Sequence, residues 1–211
     1  MEEKALHFDD NSNIYDDVRP GYPQEIYNEI ATHKDINHNS RILEIGAGNG
    51  IASQEIYKNW KSNMVLVEPG ENLCKLLDKK FKENKDIRIE NTTYEDFKNE
   101  YPFDVIISAT AFHWLDLSIK YKKSFELLKD DGLLIVFWNN YGIQNEEIGE
   151  RIQQVYNKYG GETNDTKTLY EKQIKKIVNR KNEIEESNFF KIIGHKIFKN
   201  ILDLFDNPLF S

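Results

Sequence analysis

The sequence predicts an open α/β fold, in which a mostly parallel sheet carries helices on both faces. Three observations point there. First, short apolar runs recur at Ile42–Ile45, Met64–Val67, Ile87–Glu90, Val105–Ile107 and Leu133–Phe137. Runs so short and so apolar suit strands covered on both faces. Second, stretches of helical spacing separate these runs, and strand–helix alternation gives a parallel sheet. Third, a glycine-rich turn, Gly46-Ala47-Gly48-Asn49-Gly50, lies between the first run and the first of those helices.

The elements follow in order. Residues 1–22 are a polar lead-in with Phe8, Tyr15, Tyr22 and the sequence Arg19-Pro20-Gly21. Pro23 starts a helix over Gln24–Thr32, because its missing N–H costs nothing in a first turn. Residues 33–40 form a polar linker. A helix is expected over Ile51–Trp60 after the first strand, another over Glu71–Asn84 after the second, and one within Phe112–Leu128 after the fourth. Beyond Trp138 the texture changes: residues 144–182 read as helical and rich in Lys, Glu and Asn. Lys191–Phe198 reads as a sixth strand, and residues 201–211 as a short apolar tail. The whole is expected to be one domain, with a lid-like helical segment (1–40), a cofactor-binding core (41–137), and a helical insertion with the sheet's last edge (138–211).

Composition narrows the function. The chain has 211 residues, 28 Lys plus Arg and 36 Asp plus Glu, for a net charge of −8. That balance argues against a protein whose main task is gripping nucleic acid. The amino terminus lacks the basic-then-apolar order of a signal peptide, and no apolar run approaches the roughly 20 residues that span a bilayer. A cytoplasmic protein with no membrane partner is the expectation. The single cysteine, Cys74, cannot form an internal disulfide or a cysteine-cluster metal site and reads as a small buried apolar residue. His7, His33, His38 and His195 are scattered, so no metal centre is expected.

The turn carries the chemistry. Glycines there let the chain reverse sharply and let a ligand approach the backbone. The helix that follows offers free N–H groups at its start. The crevice beyond the strand ends is where open α/β sheets bind ligands. Glu68 closes the second strand, 22 residues past Gly46 (68 − 46). An acid at that place can accept hydrogen bonds from both ribose hydroxyls of a nucleoside. A dinucleotide fingerprint wants glycine where Ile51 stands, and no phosphate loop of the G-x-x-x-x-G-K-[ST] type is present. A nucleoside cofactor without a pyrophosphate fits better than a nicotinamide dinucleotide. A structural turn that binds nothing is the plain alternative.

Glu44-Ile45-Gly46-Ala47-Gly48-Asn49-Gly50 resembles motif I of the class I S-adenosylmethionine-dependent methyltransferases. Further segments match in order: Glu68-Pro69 resembles the family's acidic loop, Thr92–Phe97 the adenine edge, Phe103–Trp114 motif IV and the active-site loop, and Leu127–Ile135 the turn into strand five. Tyr15–Pro23 and Phe112-His113-Trp114 resemble the small-molecule group that includes the type 11 and trans-aconitate methyltransferase-like proteins. The resemblance implies a Rossmann-like methyltransferase fold, S-adenosylmethionine as cofactor, and methyl transfer to a small molecule. It implies that Gly46, Ala47, Gly48 and Gly50 line the methionine part. Glu44 orients the loop or meets the amino group. Glu68 and Pro69 hold the ribose, and Tyr94 and Glu95 flank the adenine, with Tyr94 alternatively a core aromatic. Ser108 and Thr110 face the sulfonium. Tyr15 and Arg19 close over the cofactor, a surface role being the alternative for Arg19. His113 is the general-base candidate or shapes the pocket, Trp114 is a pocket wall, and Asp104 is structural.

The resemblance leaves alternatives open: a cofactor-binding protein of this fold without catalysis, and less readily a nicotinamide-dependent oxidoreductase. Two further expectations concern architecture. Replacing Glu68 should leave folding largely intact. The family's sheet usually ends in a sixth strand and an antiparallel seventh, whereas residues 201–211 are too short for a full seventh, so the sheet edge beside strand five invites pairing with a second copy.

Overall fold

The computed structural model describes residues 21–139 and 169–198, with six further positions between 151 and 159. The chain divides into two compact units, Met1–Phe137 with Gly194–Ser211, and Trp138–Ile193.

The first unit is built on a five-stranded sheet: β1 (Arg41–Ile45), β2 (Asn63–Glu68), β3 (Ile87–Asn91), β4 (Phe103–Ala109) and β5 (Leu128–Phe137). The spatial order is β3-β2-β1-β4-β5, and every pairing is parallel. The order reverses at β1, whose neighbours are β2 on one side and β4 on the other, so the crevice for a ligand opens at the carboxyl end of β1. Ile42 and Leu43 of β1, and Val105, Ile106 and Ile107 of β4, have no exposed surface. They are the β-branched and aliphatic residues that suit strands packed on both faces.

The helices follow from their apolar spacing. Helix α1 (Gln24–His33) has Pro23 at its amino-terminal cap with φ −64° and buries Tyr27 and Ile30. Helix α2 (Ile51–Trp60) buries Ala52, Ser53, Ile56 and Trp60, a stripe at intervals of three and four that faces the sheet. It stops at Lys61, in the left-handed region, whose N–H bonds the carbonyl of Tyr57. Helix α3 (Glu71–Phe81) buries Leu73, Cys74, Leu77 and Phe81. A 3-10 turn at Phe112–Trp114 precedes α4 (Leu117–Leu127), where the Asp116 carboxylate caps the Ser118 N–H, satisfying one of the free donors at a helix start. In the second unit, α5 (Leu169–Glu186) is the one extended element described. The Arg180 guanidinium stacks 3.9 Å from the centre of the Trp138 ring.

One expected element is absent. Lys191–Phe198 is not a strand; it runs as irregular chain, with Ile193 and Ile197 60% and 65% exposed. A short run with apolar pairs, such as Ile192-Ile193 and Ile197-Phe198, forms a strand only where a neighbour offers a ladder. Here, instead, a Cβ on Gly194 would come within 2.9 Å of the His33 ring, and Lys196 pairs with Glu29, so Gly194 and Lys196 lie against α1. Among the described residues the sheet therefore has five strands, and β5 has a paired neighbour on one side only. The tail at 201–211, and with it the expected shortened seventh strand, lies outside the described residues, as does much of the helix expected over 144–182. No helix among the described residues is long and apolar enough to cross a membrane.

Candidate functional site

The glycine turn makes a cradle of backbone donors at the end of β1. Gly46, Gly48 and Gly50 have φ of 69°, 57° and 82°, a left-handed region where a side chain costs roughly 1–2 kcal/mol. The turn is pinned to β2, since the N–H groups of Gly46 and Ala47 both bond the carbonyl of Val67, at 2.8 and 3.2 Å. Two glycines are also needed for space. A Cβ on Gly46 would fall 2.4 Å from the Cβ of Ala111, and one on Gly50 would fall 2.8 Å from Leu77 of α3. Ala47 is buried, while Gly46 and Gly48 are half-exposed at the crevice. Lys80 of α3 donates to the carbonyl of Asn49, bracing the turn from outside.

Glu68 is tied into this cradle more tightly than its sequence position suggests. Its two carboxylate oxygens each accept a backbone N–H at 2.9 Å, one from Gly48 and one from Gly70. The acid thus bridges the glycine turn to the loop after β2, and it is only 6% exposed. The loop is held in turn by Asn91, which donates to the carbonyls of Glu68 and Pro69, and by the buried Cys74 thiol, which donates to the Glu68 carbonyl. Cys74 is the small buried helix residue expected. Pro69 is exposed.

Glu44 projects from β1 beneath the turn and is 1% exposed. Burial pushes its carboxyl up to about 8, the Ser53 hydroxyl opposing and Glu68 reinforcing the shift.

The end of β4 forms the opposite wall. Ser108 is fully buried and donates to the carbonyl of Ile45, so it staples β4 to β1 at the end of the strand that carries the glycine turn. Thr110 sits just beyond the strand with φ 61°, a conformation that is a genuine outlier for a β-branched residue. Its N–H bonds the Phe137 carbonyl at 2.8 Å, and its hydroxyl lies 2.8 Å from that of Tyr22. Tyr22 also packs edge-on against Phe137, with centroids 4.8 Å apart. Strain held this way gathers at functional sites. Tyr22, Ala111 and Lys80 were not singled out from sequence. Tyr22 and Ala111 carried a signal, since they lie within the Tyr15–Pro23 and Phe103–Trp114 segments; Lys80 carried none.

The remaining candidates separate. Tyr94 is buried, its hydroxyl 2.9 Å from Ser124 of α4. Burial raises its ionisation well above the usual tyrosine range, against the Ser124 bond. This geometry favours the core-aromatic alternative. Glu95 is half-exposed and accepts the Asp116 N–H at 3.1 Å, linking the loop after β3 to the cap of α4. His113 and Trp114 are exposed, their rings 4.7 Å apart. Asp104 accepts the Arg41 N–H and pairs with Lys129, both at 2.8 Å. Its carboxyl is pulled up by burial, but these two partners outweigh that and hold it below its ordinary value, which fits the structural role expected. Tyr15 and Arg19 lie outside the described residues. Among the described residues no group of acids, histidines and cysteines could hold a metal ion.

A family described as ribosomal RNA adenine dimethylase matches residues 22–110. The chain is 31% identical over 153 residues to the Saccharomyces cerevisiae protein named "Probable S-adenosylmethionine-dependent methyltransferase CRG1", covering 69% of this chain and 50% of that one. It is 29% identical over 125 residues to an uncharacterized methyltransferase of Schizosaccharomyces pombe, covering 59% of this chain and 49% of that one. The chain thus spans about half the length of these curated relatives. In fold it matches a crystal structure from Galdieria sulphuraria, of a protein provisionally named a sarcosine dimethylglycine methyltransferase, with a TM-score of 0.50 at 19% identity over 53% of this chain and 43% of the other.

Proposed function

We propose that this chain, which belongs to the class I S-adenosylmethionine-dependent methyltransferases, holds its cofactor across the glycine turn and passes the methyl group to a small molecule. The observation that carries the reading is the Glu68 carboxylate, bound by the backbone of the glycine turn and of the loop after β2 at the point where strand order reverses. A carboxylate fixed at this spot retains lone pairs for the two hydroxyls of a ribose. Glu95 and Pro69 flank the adenosine side. Gly46, Ala47, Gly48 and Gly50 follow the methionine part, and the half-exposed glycines leave room for it.

S-adenosylmethionine supplies a methyl group already activated as a sulfonium, so the protein's task is chiefly to position and desolvate the reactants. The backbone cradle and Glu68 fix one reactant. Thr110, set by Tyr22 and by the Phe137 carbonyl, presents a hydroxyl at the crevice wall beside Gly46 and Ala111. His113 takes the acceptor's proton where the acceptor is a hydroxyl or amine and only shapes the pocket where it is a carboxylate. Tyr15 and Arg19 close over the cofactor.

The acceptor is a small molecule in this reading, in keeping with the acidic balance of the chain. RNA is a second reading, favoured by the match to an RNA-modifying family over residues 22–110. One experiment separates them. The protein is titrated with S-adenosylmethionine and S-adenosylhomocysteine by calorimetry, then given methyl-labelled cofactor with either a metabolite extract or total RNA. Saturable binding and label in the metabolite fraction support the proposal. Label in RNA alone moves the acceptor to nucleic acid, and absence of binding by either cofactor form overturns the assignment.

A further inference from the structure

Among the described residues, three buried polar atoms around the glycine turn have no hydrogen-bond partner: the Tyr27 hydroxyl, the Oε2 of Glu44 and the Ser53 hydroxyl. They come from three successive elements, α1, β1 and α2. Tyr27, Glu44 and Ser53 are exposed by 1%, 1% and 0%, beside a core of aliphatic, methionine and aromatic side chains. Such atoms are rare, and each calls for a reason, because leaving a buried polar group unpaired costs about 1–3 kcal/mol. An apolar trio would stabilise the same space better.

The three groups act on one another. Ser53 favours the charged form of the Glu44 carboxyl, while Glu44 is the first charge to act on the Tyr27 hydroxyl after burial itself. The other titratable groups nearby are Glu68 on β2, which acts on Glu44, and Tyr22 and Glu55, which act on Tyr27. None of these is a cation, so among the described residues nothing is positioned to neutralise an ionised Glu44. A buried carboxyl without a counter-ion keeps its proton, and it becomes an anion when a positive charge arrives.

We infer that Tyr27, Glu44 and Ser53 form a proton-holding cluster under the turn, and that binding of the cationic methionine end of the cofactor on the turn above expels the proton of Glu44. The inference rests on the methyltransferase reading. The step is simple: the carboxyl O–H bond breaks, the proton passes to solvent buffer, and the carboxylate that remains accepts the hydroxyl protons of Tyr27 and Ser53. The two hydroxyls are positioning residues, which hold the anion ready without touching the cofactor. Above about pH 8 the carboxyl is ionised before binding, so release disappears there. Below that value each binding event must remove the proton, so affinity weakens as pH falls.

The test is calorimetric titration of the full chain with S-adenosylmethionine in two buffers of different ionisation enthalpy. At pH 7 roughly 0.5–1 proton should be released per cofactor, and affinity at pH 6.5 should be about tenfold weaker than at pH 8. In Glu44→Gln both effects should vanish; the cofactor's own amino group contributes equally to both proteins and cancels in the comparison. Tyr27→Phe and Ser53→Ala should weaken binding several-fold at pH 6.5, where the anion forms only on binding, and little at pH 9, where it is already present, whereas a merely structural loss would act alike at both. Equal proton counts in the wild type and in Glu44→Gln would overturn the inference. Should the Gln variant fail to fold, a wild-type affinity that is flat across this pH range would overturn it alone. Absence of binding in every buffer would overturn the methyltransferase reading and this inference with it.

Discussion

Replacing Glu68 by Ala tests the site and the fold together. The substitution removes both partners of two backbone donors, the N–H groups of Gly48 and Gly70, each 2.9 Å from a carboxylate oxygen. A hydrogen bond to a charged group contributes about 1.5–3 kcal/mol. The Gly70 N–H is buried, so its loss stands near the upper end. Gly48 is half-exposed, so water can take its donor, and its loss stands near 1 kcal/mol. The sum is about 3–4 kcal/mol, against a stability of roughly 5–15 kcal/mol for a typical domain. The variant should still fold, but its urea midpoint should drop by a large fraction of the wild-type value. The sequence alone predicts that the variant folds; the two backbone bonds add that it folds with a reduced margin. Glu68→Gln keeps one acceptor and turns its amide donor toward the other N–H, so its loss should fall between wild type and Ala. Below the melting range, calorimetry with S-adenosylhomocysteine should show affinity reduced by more than tenfold in Glu68→Ala, because the ribose loses a charged acceptor for two hydroxyls. A stability within 0.5 kcal/mol of wild type would refute the bracing argument, and an unchanged dissociation constant would refute the ribose assignment. The two outcomes are independent.

Other perturbations probe neighbouring parts. Gly46→Ala forces a Cβ to 2.4 Å from Ala111 at a φ of 69°; left-handed strain and overpacking together should cost about 2–4 kcal/mol in chemical unfolding, with loss of cofactor binding. His113→Ala should lower turnover far more than cofactor affinity and erase an ionisation that the wild-type rate profile shows; a profile identical to wild type would assign His113 to pocket shape. Asp104→Asn should destabilise by about 1–2 kcal/mol at neutral pH while leaving cofactor affinity untouched. Because the folded-state pKa of Asp104 is depressed, its contribution is present above the unfolded value and is lost as pH falls through the folded one, so the two unfolding curves should converge in acid.

Much of this architecture was legible in the residues. Strands β1 to β5 fall on the five apolar runs, because a strand buried on both faces has to be apolar throughout. Helix α2 matches its expected bounds, since Gly50 starts it and the stripe from Ala52 to Trp60 defines its face. Lys191–Phe198 misled because β-branched and aromatic content marks what suits a strand and says nothing of whether a neighbour is there to pair with. Within the site, the glycines and Glu68 were visible because their demands, left-handed φ and charge at a strand end, are local. Ser108 and Tyr94 show what spacing leaves open: both hydroxyls are buried and bonded within the protein, to the Ile45 carbonyl and to Ser124, partners that no local pattern names. Tyr22 meeting Thr110, and Ala111 meeting Gly46, are contacts between distant segments that no spacing rule encodes.

The placement of β1 has a consequence for the order in which the molecule assembles. The strand that carries the glycine turn is paired on one side with β2 but on the other with β4, and that second ladder joins Ile42 to Val105, 63 positions later (105 − 42). Loop-closure entropy has to be overcome before such distant contacts are rewarded, which slows folding of sheets with long crossovers. Helices α2 and α3 are local and can form early. The crevice, by contrast, needs both neighbours of β1 in place, with Thr110 and Ala111 brought up against the turn. During refolding, far-ultraviolet circular dichroism should recover ahead of the capacity to retain cofactor, and that lag measures the time the chain takes to close its central strand.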